Sequence, residues 1–390
     1  MDRIVVTAAA GSSAREESLY AIKPILTKGY GMVAVTDIPK GTRILSESPL
    51  FTFQSEPDLQ KVERTILEKL RLLGREEQRA FFALHNAHVG RHSPPFGIAR
   101  TNALPLGPNT RQKGLFLEAS RINHACRNNA QNTWNGSLEK ITIHAIRDIK
   151  EGEEITIIYT GPFETYMERQ TSLIDNMSFN CDCELCSLPL PQRHESNSRL
   201  RRLKYLDGWM DELQYTESQP QLRMQIIYEM IRLFEAEDIC NIRLAKPYSD
   251  AFETAAENGD ETRAKVFAEK VYAIRKAVEG DDSPSAIKWK GLAEQPTRSS
   301  LFVESGGSSH DVDQPPEPQS QEFEDWLWMK HEWSNIADTP EADESPEDLG
   351  QDSWTSVFQK LGVMQIRDDD EGSFDSLSTT AIRDTLESLF

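Results

Sequence analysis

The chain has no run of about 18 apolar residues, the length a helix needs to cross a bilayer. Its first apolar stretch, Ile4–Ala10, follows Asp2 and is too short and too weakly flanked for a secretory signal. Membrane and secreted classes are thereby set aside, and cytoplasm, nucleus or both is the expected location. Cysteine is scarce: five residues, an odd number, fit poorly with a disulfide framework. A basic stripe is also missing, which argues against direct nucleic-acid binding. The one dense basic run, Arg199–Lys204, falls in a helical pattern and reads as a solvated face.

Acid is plentiful but uneven. The formal charge is −20, yet residues 301–390 hold 22 acidic and 4 basic side chains, leaving 41 acidic against 39 basic elsewhere. A near-neutral body with an acidic end does not present one anionic surface to basic partners. At 390 residues the chain exceeds a typical domain, so two ordered units plus irregular sequence are expected.

From Tyr20 to Phe53, short β-type runs alternate with turn signals such as Lys28-Gly29-Tyr30-Gly31 and Pro39-Lys40-Gly41, the pattern of small antiparallel strands. Over 57–90 the period changes. Val62, Ile66, Leu70 and Leu73, then Phe81, Leu84 and His88 after Gly74, recur at helical spacing, so two helices are inserted into a β framework. Strands are expected again around Ile98–Leu104, Leu115–Leu117, Ile141–Ile146 and Glu154–Tyr159, the last placing Ile155, Ile157 and Tyr159 on one face. From about Ser198 the pattern is helical. Leu244, Tyr248, Ala251 and Ala255 form one stripe and Phe267, Val271, Ile274 and Val278 another, divided by Asn258-Gly259-Asp260, a hairpin the size of one tetratricopeptide-type repeat. Beyond Gly280, Pro, Ser, Asp and Glu accumulate around two aromatic islands, Phe323–Trp328 and Trp354–Leu361. Such text is expected to stay disordered and to fold on a partner.

The strongest chemical signal is Cys181-Asp182-Cys183-Glu184-Leu185-Cys186. Three thiolates this close cannot all pair with one another but can surround one zinc ion, which takes four ligands. For the fourth, Cys126 in the polar turn Arg121-Ile122-Asn123-His124-Ala125-Cys126 is a better candidate than Cys240, which reads as part of a helical, apolar segment.

Asn123-His124-Ala125-Cys126, then Gly152-Glu153-Glu154-Ile155-Thr156-Ile157-Ile158-Tyr159, then Phe179-Asn180-Cys181-Asp182-Cys183 resemble, in order and spacing, the signature of SET domains. Within that superfamily the likeness is to the SET-and-MYND branch, in a SET-only form, because no MYND finger ligands lie near residues 54–60. The resemblance covers about residues 20–190. It extends to the helical insert and to Thr101-Asn102-Ala103, which looks like the family's strand before the knot. It implies an α+β fold of small antiparallel sheets with a knot-like C-terminal turn, a helical insert and a post-SET segment holding one zinc ion through Cys126, Cys181, Cys183 and Cys186. An all-α helical-hairpin region follows. The organisation expected is a flexible N-terminus at 1–19, the SET domain at 20–165 with its insert at about 57–90, the zinc segment at 166–190, a tetratricopeptide-like region at 198–290 and a largely disordered acidic tail at 291–390.

By the same resemblance, the activity is methyl transfer from S-adenosylmethionine to lysine side chains of proteins. In-line attack by a neutral amine needs alignment and dipoles more than acid-base groups or a catalytic metal. Tyr159 stands at the transfer channel. Asn123 and His124 form the cofactor turn, Lys28, Gly29 and Tyr30 the first cofactor loop, Asn102 meets cofactor or lines the lysine channel, and Phe179 stacks on adenine. The family often has Arg or Asn where Tyr30 stands, which leaves open which side chain there touches cofactor. It usually reads x-Pro-Asn where this chain has Arg127-Asn128-Asn129, with Asn129 keeping the polar position. The expected partner is a protein with an accessible lysine, histone or not, and the expected state a monomer without nucleic acid or membrane. Two other readings are a SET fold that has lost turnover and works as a scaffold through its helical half and acidic tail, and a zinc-binding interaction module. The latter leaves the strand motifs and the Asn-His turn without purpose.

Overall fold

The computed structural model describes residues 18–213, 220–303, 315–318 and 320–335. The expected flexible stretch through residue 17 and the aromatic island Trp354–Leu361 lie outside the described residues.

The hairpin of β1 (Tyr20–Ile25) and β2 (Gly29–Ala34) turns through Thr27 and Gly29, both in the left-handed region at φ 68° and 75°, a conformation that favours glycine. Strands β3 (Arg43–Glu47) and β4 (Phe51–Gln54) lead into the insert of α1 (Leu59–Arg71), α2 (Arg75–Phe82) and α3 (Pro94–Asn102). Asp58 caps α1 by accepting the Gln60 and Lys61 amides. The rest of the β-rich part is β5 (Leu104–Pro105), β6 (Gln112–Leu115), β7 (Asn123–His124), β8 (Ala130–Asn135), β9 (Lys140–Ala145) and β10 (Glu154–Ile157). Three small sheets result, ordered β1-β2-β10-β7, β3-β9-β8 and β4-β6-β5. All pairings are antiparallel except β7 on β10, which is parallel and sets Thr156 opposite Asn123 and Ile157 opposite His124.

The segment expected to be a strand around Ile98–Leu104 is mostly helix. Pro94 and Pro95 suit a first helical turn, and the Thr101 hydroxyl and Asn102 amide bond back to the carbonyls of Gly97 and Ile98. Only Leu104 and Pro105 pair as strand, against β6.

After β10 come α4 (Tyr166–Met177), α5 (Leu190–Leu213), α6 (Pro220–Ala236), α7 (Ala245–Glu257), α8 (Glu261–Glu279), α9 (Pro284–Glu294) and the short α10 (Gln321–Leu327). Helices α5 to α9 enclose an apolar core that includes Leu203, Met230, Phe234, Phe252, Phe267 and Trp289. Three sequence readings change in this half. The first aromatic island does not stand free: Leu327 and Trp328 are buried in that core, and the Arg263 guanidinium donates to the Trp326 carbonyl at 2.9–3.0 Å. Apolar burial here comes from the chain itself. The basic run of α5 is a solvated face only in part: Lys204 is exposed, whereas Arg199 and Arg202 are partly covered in ion pairs. Arg199 donates to Glu237 at 2.5 Å and Arg202 to Glu229 at 2.6 Å, while Lys204 bridges to Glu168 on α4. Cys240 lies in the turn after α6, because Asp238 takes a left-handed φ of 54° and ends the helix.

Helix α8 packs on β8 and β9. Below it Arg43 pairs with Asp282, and Asn135 donates to the Asp282 carbonyl at 3.3 Å. His144, 1% exposed, sits in this joint and accepts from Arg43 Nε at 3.1 Å. Burial first, and the Arg43 charge second, push its pKa from 6.5 down to about 4, against the pull of Asp282. An unfolded histidine takes up its proton near pH 6.5, whereas this one resists until about 4. Between those values the unfolded state binds more protons, so stability is full above pH 6.5 and declines as pH falls toward 4, by up to about 3 kcal/mol. Thermal melts of wild type and His144→Gln across that window should show the variant losing this part of the slope.

Candidate functional site

The parallel pair of β7 and β10 brings the motif residues together. Asn129, 1% exposed, ties the turn after β7 to β10. Its side-chain oxygen accepts the Thr156 amide at 2.7 Å, and its nitrogen donates to the Glu154 carbonyl at 2.8 Å and the Glu153 carboxylate at 2.9 Å. Asn128 stands where the resemblance leads one to expect proline, and it holds the turn another way, its amide donating to the Ala130 carbonyl at 2.8 Å.

Glu154 is the hub that sequence reasoning quoted but gave no role. One carboxylate oxygen accepts the Asn123 amide at 2.8 Å, and the other receives Lys28 Nζ at 2.9 Å. The Lys28–Gly29–Tyr30 loop thus meets Asn123 through a shared carboxylate, and Asn123 also approaches the Tyr30 carbonyl at 3.4 Å. Gly31 is required by this close approach, since a Cβ there would press into the side chains of Ile25 and Asn123. Around the loop, Leu26, Tyr30 and Phe179 are at least partly exposed.

Just past β10, the Tyr159 hydroxyl donates to the Ile122 carbonyl, and its backbone N–H donates to His124 Nδ1 at 3.0 Å. Burial, then the Glu154 charge, pushes the Tyr159 phenol well above its usual pKa, so it stays protonated at neutral pH. The His124 ring is buried between Tyr159 and Phe179, with centroids 5.3 and 6.3 Å away. Burial pushes its pKa down to about 4. Because Nδ1 accepts from Tyr159, the proton of the neutral ring sits on Nε2, which faces Cys126 Sγ at 3.3 Å.

Asn102 joins the neighbourhood differently from the expectation. Its side-chain nitrogen donates to the carbonyls of His85 and Ile98, both at 2.7 Å, and its backbone carbonyl accepts the Ser120 hydroxyl at 3.1 Å. Its side-chain donors are committed to protein backbone.

The four cysteines Cys126, Cys181, Cys183 and Cys186 have sulfurs within 4.8 Å of one another, with Cys126 at 3.5 Å from Cys186 and 3.9 Å from Cys181. Tetrahedral zinc at about 2.3 Å from each sulfur spaces them about 3.8 Å apart, so the cluster fits a zinc tetrathiolate. Cys240 is not in the cluster. Tyr159, Leu173 and Leu185 pack against it, which ties the cysteine site to the tyrosine. Helix α4 supplies two residues that no motif announced. Gln170 clamps Cys181, donating to its carbonyl at 2.8 Å and accepting its amide at 2.9 Å, and Arg169 approaches Cys186 Sγ at 3.7 Å.

The family model described as SET domain matches residues 29–160. The chain is 35% identical over 292 residues to "Histone-lysine N-methyltransferase set5" of Schizosaccharomyces pombe, covering 73% of this chain and 87% of that protein. Shorter similarities reach "Histone-lysine N-methyltransferase SET5" of Scheffersomyces stipitis (35% over 85 residues, 22% of this chain and 18% of that protein) and "Histone-lysine N-methyltransferase SMYD3" of Homo sapiens (40% over 73 residues, 19% of this chain and 17% of that protein).

Proposed function

The chain belongs to the SET-domain family of protein-lysine methyltransferases, and from that premise we infer that it transfers methyl groups from S-adenosylmethionine to lysine side chains of proteins. The observation that carries the reading is the β7–β10 pair, which gathers the Asn123 amide, the His124 ring and the Tyr159 hydroxyl about one short stretch of backbone.

When bound, S-adenosylmethionine supplies an electrophilic methyl on a sulfonium. The proposed holders of its amino-acid end are Lys28, Gly29, Tyr30 and Asn123. Lys28 and Glu154 offer a cation and an anion side by side, which suits a group carrying both an ammonium and a carboxylate. Phe179, 36% exposed, offers a free aromatic face for adenine, with the backbone of His124 beside it. Asn102 is proposed to act from the channel wall through its remaining oxygen. Tyr159 is proposed as the catalytic residue. Its protonated phenol is anchored on the Ile122 carbonyl, so the oxygen lone pairs are fixed in direction and can orient the incoming amine. It is not a base, and the amine arrives neutral.

We propose one structural zinc ion held by Cys126, Cys181, Cys183 and Cys186. It would keep the segment after Phe179 over the cofactor turn. Histones are the proposed substrates among proteins, because the relatives are named for histone lysines, and the proposed site of action is the nucleus or cytoplasm. The helical half is proposed to select the protein substrate.

The direct test is calorimetric titration of S-adenosylmethionine into zinc-loaded protein, wild type against Asn123→Ala. Removing the amide that bonds Glu154 should weaken binding about 10- to 100-fold. Equal affinity would remove Asn123 from the cofactor site.

A further inference from the structure

Arg169 is 4% exposed, and among the described residues its side chain meets a backbone carbonyl and a sulfur rather than a carboxylate. Its Nη1 donates to the Glu164 carbonyl at 2.7 Å, Nη2 approaches Cys186 Sγ at 3.7 Å, and buried Nε has no partner. A buried guanidinium without a counter-charge is costly, and one N–H bond to a backbone carbonyl does not offset that. Among the described residues, the anions that the structure sets against it are cysteine sulfurs, and only when they are thiolates. Four thiolates around one divalent ion carry a net charge of −2, itself unfavourable under the cover of Leu173 and Leu185. Each buried charge therefore answers the other.

We propose that Arg169 is the counter-ion of the metal–thiolate centre. It halves the net charge of that centre and directs an N–H at Cys186, while Gln170, one residue along α4, fixes the Cys181 backbone without charge. The inference rests on the zinc reading above. It adds a positioning role for a residue 12 positions before the cysteine triplet.

The role has a signature that a packing role lacks. With metal bound, removing the cation should weaken the centre. Without metal, when the sulfurs are protonated thiols, the same removal relieves an uncompensated buried charge. Arg169→Met keeps much of the volume and loses the charge, whereas Arg169→Lys keeps the charge and loses the fork.

Full-length wild type and both variants would be titrated with Zn2+ in competition with a chromogenic chelator, and with Co2+ for the sulfur-to-cobalt charge-transfer band. Thermal melts would be run with zinc and with excess chelator. Arg169→Met should bind zinc about 10- to 100-fold more weakly, with Arg169→Lys in between. Its charge-transfer band should move to longer wavelength, because the sulfurs become better donors. It should melt below wild type with zinc but not below it in chelator. Unchanged zinc affinity and an unmoved band in Arg169→Met, or equal destabilisation with and without metal, overturn the proposal and leave the zinc site standing. A wild type that binds neither ion at one per chain overturns both. If Arg169→Met does not fold with zinc, the lysine variant decides: affinity equal to that of Arg169→Gln overturns the proposal.

Discussion

Replacing Tyr159 by phenylalanine should lower the rate of methyl transfer by about 100-fold or more while leaving S-adenosylmethionine affinity within about threefold. The phenol's oxygen is held by its own donated bond to the Ile122 carbonyl and is therefore aimed before any substrate arrives. Pre-aimed dipoles of this kind typically carry 10²- to 10³-fold in rate when removed singly. Phenylalanine keeps the ring packed against His124 and the cysteine cluster, so the fold and the cofactor pocket should survive. Because burial holds the phenol protonated, the pH–rate profile of the wild type should show no inflection from Tyr159 below pH 10. Single-turnover kinetics with radiolabelled methyl donor checks the rate, and calorimetry checks the affinity. A variant that keeps its rate would take Tyr159 out of the chemistry.

Removal of the metal should have an effect of the same order by another route. Cys126 lies two residues after His124, and Cys181 two residues after Phe179. The cluster therefore ties both walls proposed for adenine, and His124 connects it to the Tyr159 backbone through one ring. Four deprotonated sulfurs within 4.8 Å repel one another without a cation. Dialysis against a strong chelator, or Cys183→Ser, should lower the melting temperature and weaken cofactor binding by about 100-fold or more. Transfer should fall to background, and zinc should restore the chelated wild type but not the variant. Retention of full activity after metal analysis shows less than one-tenth occupancy would separate the cysteine cluster from the cofactor site.

Legibility in the sequence followed the range of the interactions. The cysteine triplet announces itself within six residues, and the Asn-His turn and the Ile155–Ile157 strand are local patterns that survive in the fold as β7 and β10. Helix α3 was hidden because Phe96, Gly97, Ile98, Ala99 and Asn102 are all buried. A helix covered on several sides shows no polar stripe, and Ile98 to Leu104 then mimics a strand. The end of α6 before Cys240 depends on a left-handed Asp238, which period counting does not register. The Arg199–Lys204 run looked solvated throughout because its partners, Glu237, Glu229 and Glu168, lie 38, 27 and 36 residues away. Glu154 and Arg169 share that reason: Lys28 is 126 residues from Glu154, and Arg169 belongs to no motif spacing. The first aromatic island carried an apolar load with acidic neighbours. Composition alone cannot distinguish a foreign partner from the chain's own helical core, where Trp328 comes to rest.

The central claim is tested most directly by incubating zinc-loaded protein with S-adenosylmethionine labelled in its methyl group and with core histones or a cell extract, then hydrolysing the acceptor proteins to amino acids. The account predicts label in ε-N-methyllysine, dependent on Tyr159 and absent after chelation. Saturable cofactor binding with no label in any lysine derivative would contradict it and leave a SET fold that binds without turnover.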